Sequence, residues 1–268
     1  MSTEKVRVGD INIVHRWDGP ADGPIVVMAH AMGTSHRVWD WQVPALADRY
    51  RILRYDFRGG GQTDAPPGPY RWPQYISDAV GLMDVLGLGK VHWVGISTGG
   101  KIAQGLAIYH PDRVASLSLC NTFSQFGEKH RRGILDRQEV VRTEGMSAAW
   151  DTSHRIWFTG SFVDAANANF QFLRQIFLET SIPGYLGATL ALLTHPYRDL
   201  LHRITAPTNI IAAEDDLATP VEFSYEIADR IKGSRLTVIE GQRHFSNIEL
   251  PERFNEILRL GLDDMVDG

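Results

Sequence analysis

The pattern of apolar and polar positions divides the first part of the chain into short strands and amphipathic helices. Residues 6–17 alternate on either side of Gly9-Asp10, which predicts a β-hairpin. Four later runs are apolar or mixed, as expected for strands covered on both faces. The predicted strands are residues 24–30, 51–57, 90–96 and 114–120, and the predicted helices between them include residues 70–89 and 98–110. This alternation predicts a mostly parallel sheet with helices on both faces.

The alternation stops over residues 123–203, where no strand pattern occurs and four segments with helical spacing carry many aromatic residues. Strand and helix patterns then resume. They predict strands 208–214 and 235–240, helix 221–232 and a last helix after Pro251. We therefore expect one core domain made of residues 1–122 and 204–268, with residues 123–203 inserted as a helical cap.

Composition and charge exclude several classes of partner. Of the 268 residues, 43% are hydrophobic and 22% are charged, as in ordinary globular proteins. A formal net charge of -5 offers no attraction to nucleic acid or to an anionic membrane. No apolar run approaches the ~20 residues that span a bilayer, and the polar start lacks the apolar region of a signal peptide. We expect a cytoplasmic protein.

Its one cysteine, Cys120, lies in an apolar run that favours buried packing.

The first candidate for chemistry is a serine at a predicted strand-to-helix junction. Residues Gly95 to Gly99 read Gly-Ile-Ser-Thr-Gly and fit the pattern G-x-S-x-G in the context which that pattern requires. A nucleophile held at such a sharp bend needs small neighbours two positions away on either side. The bend presents the Ser97 hydroxyl above the carboxyl edge of the sheet. It also leaves N–H groups of the following helix free to bind an oxyanion.

A serine hydroxyl is nearly inert at neutral pH unless an oriented base takes its proton. His244 follows the last predicted strand and is the candidate base. The candidate acids follow the preceding strand. We favour Asp216, which lies farthest into the loop, with Asp215 as the alternative and Glu214 as a third possibility. The order serine, acid, histidine along the chain is the one that this architecture uses.

Other polar residues near these strands are interpreted as structural. Asn121, at the end of strand 114–120, occupies a place where an acid could stand, but its amide cannot serve as a carboxylate. Most of the remaining histidines are interpreted as surface or structural residues. They are His15, His36, His92, His110, His130, His154, His195 and His202.

An oxyanion hole needs two donors, and the backbone N–H groups of Met32 and Thr98 are the candidates. Met32 follows strand 24–30, and Thr98 follows the candidate nucleophile. The run Gly59-Gly60-Gly61 lacks the spacing G-x-G-x-x-G and leads into Pro66-Pro67, so we interpret it as a rigid loop. No group of residues has zinc spacing. We expect no metal and no cofactor.

Together these motifs resemble the α/β-hydrolase superfamily and, more narrowly, the 3-oxoadipate enol-lactonases, along nearly the whole chain. The resemblance implies an α/β-hydrolase fold with a helical cap inserted after the sixth strand. It also implies a serine hydrolase that cleaves a small lactone or carboxylic ester through an acyl-enzyme, with Ser97 as nucleophile, Asp216 as orienting acid and His244 as base. The segments that carry it are ILRYDFRGGGQTDAPPGPY, VGISTGG, LSLCNT, DLATP and RHFSNIELPERF, with RTEGMSAAW, RIWFTGSF and PGY in the cap.

The resemblance also suggests where substrate contacts lie. A dicarboxylate product calls for a cationic anchor in the cap, and Arg155 and Arg132 are the candidates. Trp157 is the candidate pocket wall, and His30, at the end of strand 24–30, is a further candidate contact.

Three functions are compatible with this triad. Besides lactone or ester hydrolysis, the same residues support C–C hydrolysis of a β-diketone or perhydrolysis, and a protein that keeps the triad can act as a ligand-binding receptor. The chain departs from the family pattern at Gly60, Thr63 and Thr98. Because these positions border the pocket, they bear on the substrate more than on the reaction. The substrate and the oligomeric state stay open.

Overall fold

The computed structural model describes residues 3–194 and 197–268, so His195 lies outside the described residues. Within them, an eight-stranded sheet runs in the order β1-β2-β4-β3-β5-β6-β7-β8. The strands are β1 (Glu4–Val8), β2 (Ile11–Asp18), β3 (Ile25–Ala29), β4 (Arg51–Tyr55), β5 (Val91–Ile96), β6 (Val114–Cys120), β7 (Thr208–Ala213) and β8 (Arg235–Ile239).

The sheet is mostly parallel, as predicted. β1 and β2 form the antiparallel hairpin, and β2 is also antiparallel to β4. The pairs β4–β3, β3–β5, β5–β6, β6–β7 and β7–β8 are parallel. Since parallel strands end at the same edge of a sheet, the segments that follow β3, β5, β7 and β8 meet there. Each of these segments carries a predicted site residue.

Helices cover both faces of the sheet. In the described residues they are α1 (Val43–Leu46), α2 (Trp72–Val85), α3 (Thr98–Tyr109), α4 (Glu128–Trp157), α5 (Gly160–Ala165), α6 (Ala168–Leu178), α7 (Ile182–Leu192), α8 (Val221–Arg230), α9 (Ser246–Glu249) and α10 (Pro251–Asp267), with 3₁₀ turns at His36–Trp39, Pro111–Arg113 and Arg198–Arg203.

The alternation of side chains along the central strands builds two hydrophobic clusters, one on each face. Val27 and Trp93 belong to the cluster that includes α2 and α3. Val26 and Val94 belong to the cluster that includes α1 and α10. All four side chains are fully buried, which explains why these strands are apolar throughout rather than alternating. Cys120 is buried in the second cluster, where burial raises the pKa of its thiol.

Helices α4 to α7 lie between β6 and β7, in the segment with no strand pattern. The long α4 is interrupted at Gly145, whose φ of 86° is not helical, so it consists of two helical pieces. Trp150 packs against Phe170 and Phe177, with ring centroids 5.3 and 5.6 Å away. The aromatic residues that mark this segment in the sequence therefore pack mainly against one another, on the carboxyl side of the sheet.

None of the helices in the described parts of the chain is both long and apolar enough to cross a membrane. Across residues 3–194 and 197–268, the side chains of His, Cys, Asp and Glu form no group of three or more that could hold a metal ion.

Candidate active site

Ser97 occupies the bend between β5 and α3 in a strained backbone conformation, with φ 54° and ψ -114°. Close packing explains the flanking glycines. A Cβ atom on Gly95 would lie 2.4 Å from the carbonyl carbon of Gly99, and one on Gly99 would lie 2.2 Å from the backbone oxygen of Ala29. The N–H of Ser97 donates to the backbone oxygen of Cys120 at 2.9 Å. The bend is therefore held by the sheet on both sides.

Asp216 lies in the loop after β7, and its carboxylate is buried. Oδ1 accepts hydrogen bonds from the backbone N–H groups of Ala218 and Thr219 at 2.8 and 2.9 Å. The Thr219 hydroxyl lies 2.7 Å from Oδ2. The other two candidate acids, Asp215 and Glu214, are exposed. The turn that follows β7 thus directs Asp216, and neither of its neighbours, into the molecule.

His244 follows β8 and meets Asp216. Its Nδ1 atom lies 2.7 Å from Oδ2 of Asp216. Because an ionised carboxylate only accepts, Nδ1 carries the proton, which leaves Nε2 of the neutral ring free to take another. The amide Nδ2 of Asn121 donates to the backbone oxygen of His244 at 2.7 Å. Ser97 and His244 line the same cavity, so the structure brings all three candidate residues to one place.

The two candidate oxyanion donors also lie at this cavity. Thr98 is the first residue of α3, so its N–H has no acceptor within the helix. The next N–H, that of Gly99, donates to the backbone oxygen of His30 at 3.0 Å. This bond fixes the start of α3 against the turn that carries Met32. The two N–H groups therefore belong to segments that pack directly on each other beside Ser97.

The cavity has a volume of about 700 Å³ and is lined mainly by aromatic and aliphatic side chains, among them Trp157 as predicted. The lining holds two basic side chains with a permanent charge, the exposed Lys129 and the half-buried Arg137. Arg137, on α4, donates from Nε to the hydroxyl of Tyr185 at 2.9 Å. Its Cζ atom lies 5.6 Å from the centre of the Trp157 ring. A guanidinium held in a largely apolar wall offers a complementary site to an anionic group.

His30 lies away from the cavity, contrary to its predicted position. The ring is fully buried and stacks on Phe57, with centroids 3.8 Å apart. Nε2 accepts from the backbone N–H of Phe57 at 3.1 Å, and Nδ1 lies 2.8 Å from the backbone oxygen of Ala31. Burial lowers its pKa to about 4, so the ring is neutral. His30 joins the turns after β3 and β4 rather than contacting a substrate from the cavity wall.

Neither of the two predicted cationic anchors lines the cavity. Arg155 is exposed and pairs with the exposed Asp164 at 3.1 Å, and Arg132 is exposed as well. Arg137 holds the position that they were expected to hold. The sequence could have identified Arg137 from its spacing to Ile134 and Val141. Residues three and four apart share a helix face, and both of these apolar residues are buried, so Arg137 lies on the inward face of α4.

His130 is a second residue that the sequence did not identify. It was interpreted as a surface or structural residue, but it lines the cavity near the start of α4. Its ring lies 5.5 Å from that of Phe223. Burial lowers its pKa, assisted by the neighbouring charge of Lys129 and opposed by that of Asp216. His130 is the third residue of α4, and a histidine in the first turn of a helix gives no sequence signal that it lines a cavity.

Comparison with known proteins agrees with the fold described above. A family model described as alpha/beta hydrolase fold matches residues 24–144. The chain is 32% identical over 246 residues to 3-oxoadipate enol-lactonase 2 of Acinetobacter baylyi, which covers 92% of this chain and 91% of that protein. The enol-lactonase structure from Burkholderia xenovorans LB400 matches with a TM-score of 0.93 at 32% identity, over 97% of this chain and 100% of that one. A thermophilic esterase from Thermogutta terrifontis matches with a TM-score of 0.90 at 26% identity, over 99% of each chain.

Proposed function

Because the chain belongs to the α/β-hydrolase family, whose fold its sequence predicted, we propose that it is a serine hydrolase that cleaves a small lactone or carboxylic ester through an acyl-enzyme. The observation that carries the proposal is the contact of 2.7 Å between His244 Nδ1 and Asp216 Oδ2 beside the cavity that Ser97 lines. The relatives named above, which are enol-lactonases and an esterase, support this reaction class. In this proposal residues 1–122 and 204–268 form the core, and residues 123–203 form the cap.

The proposed reaction starts with attack of Ser97 Oγ on the ring or ester carbonyl carbon, while Nε2 of His244 takes the hydroxyl proton. Asp216 keeps the imidazole in the tautomer with hydrogen on Nδ1 and stabilises the imidazolium that forms. The N–H groups of Met32 and Thr98 bind the oxygen as its negative charge develops. One such donor is typically worth about 3 kcal/mol of barrier.

Collapse of the tetrahedral intermediate expels the leaving oxygen, which His244 protonates. If the leaving group is an enol, it becomes a ketone, and the ring cannot readily close again. A water molecule then attacks the acyl-enzyme carbonyl carbon. His244 takes a proton from that water and returns one to Ser97, which frees the acid product and restores the serine.

Within this proposal Arg137 binds a carboxylate of the substrate. Its bond to the Tyr185 hydroxyl and its position over the Trp157 ring hold the guanidinium at the cavity. The other charged side chains of the lining, Lys129 and Glu222, are exposed, and the rest is mostly apolar. An anionic end beside Arg137 and an uncharged reacting end beside Ser97 fit this distribution of charge. This assignment replaces the two arginines that the sequence suggested.

The test combines an activity-based probe with a substrate panel. A fluorophosphonate should label the protein, and the label should disappear in Ser97→Ala while the fold, followed by circular dichroism, is retained. Lactones and aryl esters should be hydrolysed, and β-diketones should not. A folded protein that is neither labelled nor active would favour a ligand-binding receptor. Faster turnover of β-diketones than of lactones would favour C–C hydrolysis.

A further inference from the structure

The turn that ends β6 contacts the three loops that carry the proposed triad. Both of its residues, Asn121 and Thr122, are buried. The Thr122 hydroxyl donates to the backbone oxygen of Ser97 at 2.7 Å. The Asn121 amide donates to the backbone oxygen of His244 at 2.7 Å. In the loop of the acid, the Thr219 hydroxyl lies 3.0 Å from the backbone oxygen of Asn121. Two adjacent residues thus reach the nucleophile, the acid loop and the base.

The backbone conformation of Asn121 makes these contacts possible. Its φ of 39° lies in the left-handed region, which asparagine tolerates better than most residues. Its N–H donates to the backbone oxygen of Ile211 in β7 at 2.8 Å, which ties the turn to the sheet. Its Nδ2 also lies 3.0 Å from the hydroxyl of Ser246. The chain therefore bends sharply while the amide stays anchored to the loop that carries His244.

We propose that Asn121 and Thr122 are positioning residues that set the imidazole of His244 relative to the hydroxyl of Ser97, an inference that rests on the proposed function. Asp216 holds the imidazole only through Nδ1. Asn121 holds the backbone of His244, which prevents the loop and the imidazole from moving together. Thr122 holds the carbonyl of the nucleophile in the same way. Displacement of a reacting group by ~1 Å can cost about 100-fold in rate.

Two pairs of variants separate side-chain function from backbone conformation. Asn121→Gly keeps the left-handed backbone accessible but removes the amide, and Asn121→Asp keeps the size but replaces the donor by an acceptor. Thr122→Val removes the hydroxyl at nearly constant shape, and Thr122→Ser retains it. The matched control is Asn247→Asp. That buried asparagine lies three residues after His244, in α9, and its amide donates to the backbone oxygen of Val38 at 2.9 Å rather than to His244.

If the inference holds, Asn121→Gly and Asn121→Asp lower kcat about 10- to 100-fold with KM changed less than about 3-fold. Thr122→Val lowers kcat in the same manner, and Thr122→Ser restores most of it. In Asn121→Asp the added carboxylate also moves the acidic limb of the kcat/KM profile to higher pH, because negative charge favours the imidazolium. Asn247→Asp shows a loss of thermal stability comparable to that of Asn121→Asp, but neither kinetic change.

A second readout does not depend on activity. The Nδ1 proton of His244, held against Asp216, should give a downfield NMR resonance that broadens or disappears in both Asn121 variants and persists in Asn247→Asp. An unchanged resonance together with unchanged kcat in the Asn121 variants would overturn the inference and leave the proposed hydrolase intact. If the wild-type protein lacks probe labelling, the proposed function fails. The resonance then still decides whether Asn121 holds His244 in place.

Discussion

Asp216 and His244 are joined by a contact of 2.7 Å between Oδ2 and Nδ1, whereas Asp215, one position earlier, is exposed to solvent. The difference arises from the turn after β7, in which Oδ1 of Asp216 accepts hydrogen bonds from the backbone N–H groups of Ala218 and Thr219. These bonds fix the orientation of the carboxylate that contacts the imidazole. The choice between two adjacent acids is therefore made by the local backbone.

The first prediction tests this choice. Asp216→Asn should lower kcat by about 10⁴-fold, because an amide in that place favours the wrong tautomer of the imidazole. Asp215→Asn is the matched control, and its kcat/KM should stay within about 2-fold of wild type. Steady-state kinetics on the best substrate of the panel measure both. A larger loss in Asp215→Asn than in Asp216→Asn would reverse the assignment.

The second prediction concerns Arg137. Arg137→Gln should raise KM for a lactone or ester that carries a carboxylate by about 10- to 100-fold, because a hydrogen bond to a charged group is worth about 1.5–3 kcal/mol. KM for a matched neutral ester should change little. Arg155→Gln, a change at an exposed position in the second piece of α4, should leave both values unchanged. Equal effects of Arg137→Gln on the charged and the neutral substrate would refute the anchoring role.

The sequence predicted those parts of the site that depend on local rules. The bend at Ser97 needs small residues on either side, and the strand pattern shows which loops meet at one edge of the sheet. The lining of the cavity follows different rules, because it depends on how helices pack across the sheet. Arg132 and Arg137 lie on the same piece of α4, and only the packing of that piece against its neighbours makes Arg137 a wall residue and leaves Arg132 exposed.

His30 illustrates a second limit of the sequence. Its position at the end of β3 indicates a site residue, but its ring is used inside the fold, between Phe57 and the turn at Gly60. A Cβ atom on Gly60 would lie 2.4 Å from Cε1 of His30, so the glycine leaves room for that ring. This dependence joins residues that are distant in the sequence, and no periodicity reveals it.

The third prediction tests the packing at the proposed nucleophile. Gly95→Ala should destabilise the protein by several kcal/mol or prevent folding, because its Cβ would lie 2.4 Å from backbone atoms that cannot move away. Gly133→Ala is the control. This glycine lies within α4 and a Cβ there meets nothing within 4 Å, so the change should stabilise the protein by about 0.5–1 kcal/mol. Urea unfolding measures both changes, and a well-folded, fully stable Gly95→Ala protein would contradict the prediction.

The last prediction concerns Lys101, a buried lysine on α3. Its ammonium donates to the backbone oxygen of Ser124 at 2.7 Å and to Oε1 of Gln104 at 3.3 Å. Nζ also lies 4.9 Å from the centre of the Tyr197 ring. Burial lowers the pKa of this lysine to about 7, and the charge of Glu226 only partly opposes the shift. The amine of the folded protein therefore loses its proton at a pH several units lower than the amine of the unfolded chain does.

The sign of the pH dependence follows from this difference. Between pH 7 and pH 10 the unfolded chain binds the lysine proton more fully than the folded protein does, so the contribution of Lys101 to the free energy of unfolding rises with pH. From pH 7 to pH 9 the lysine should add about 2 kcal/mol, and this contribution is lost again as the pH falls towards 7. Lys101→Met keeps the length of the side chain and removes the titration. The difference in unfolding free energy between wild type and Lys101→Met, measured in urea at pH 7, 8 and 9, should therefore shift in favour of wild type as the pH rises. Since all other groups titrate in both proteins, a constant difference would mean that Lys101 keeps an ordinary pKa in the fold.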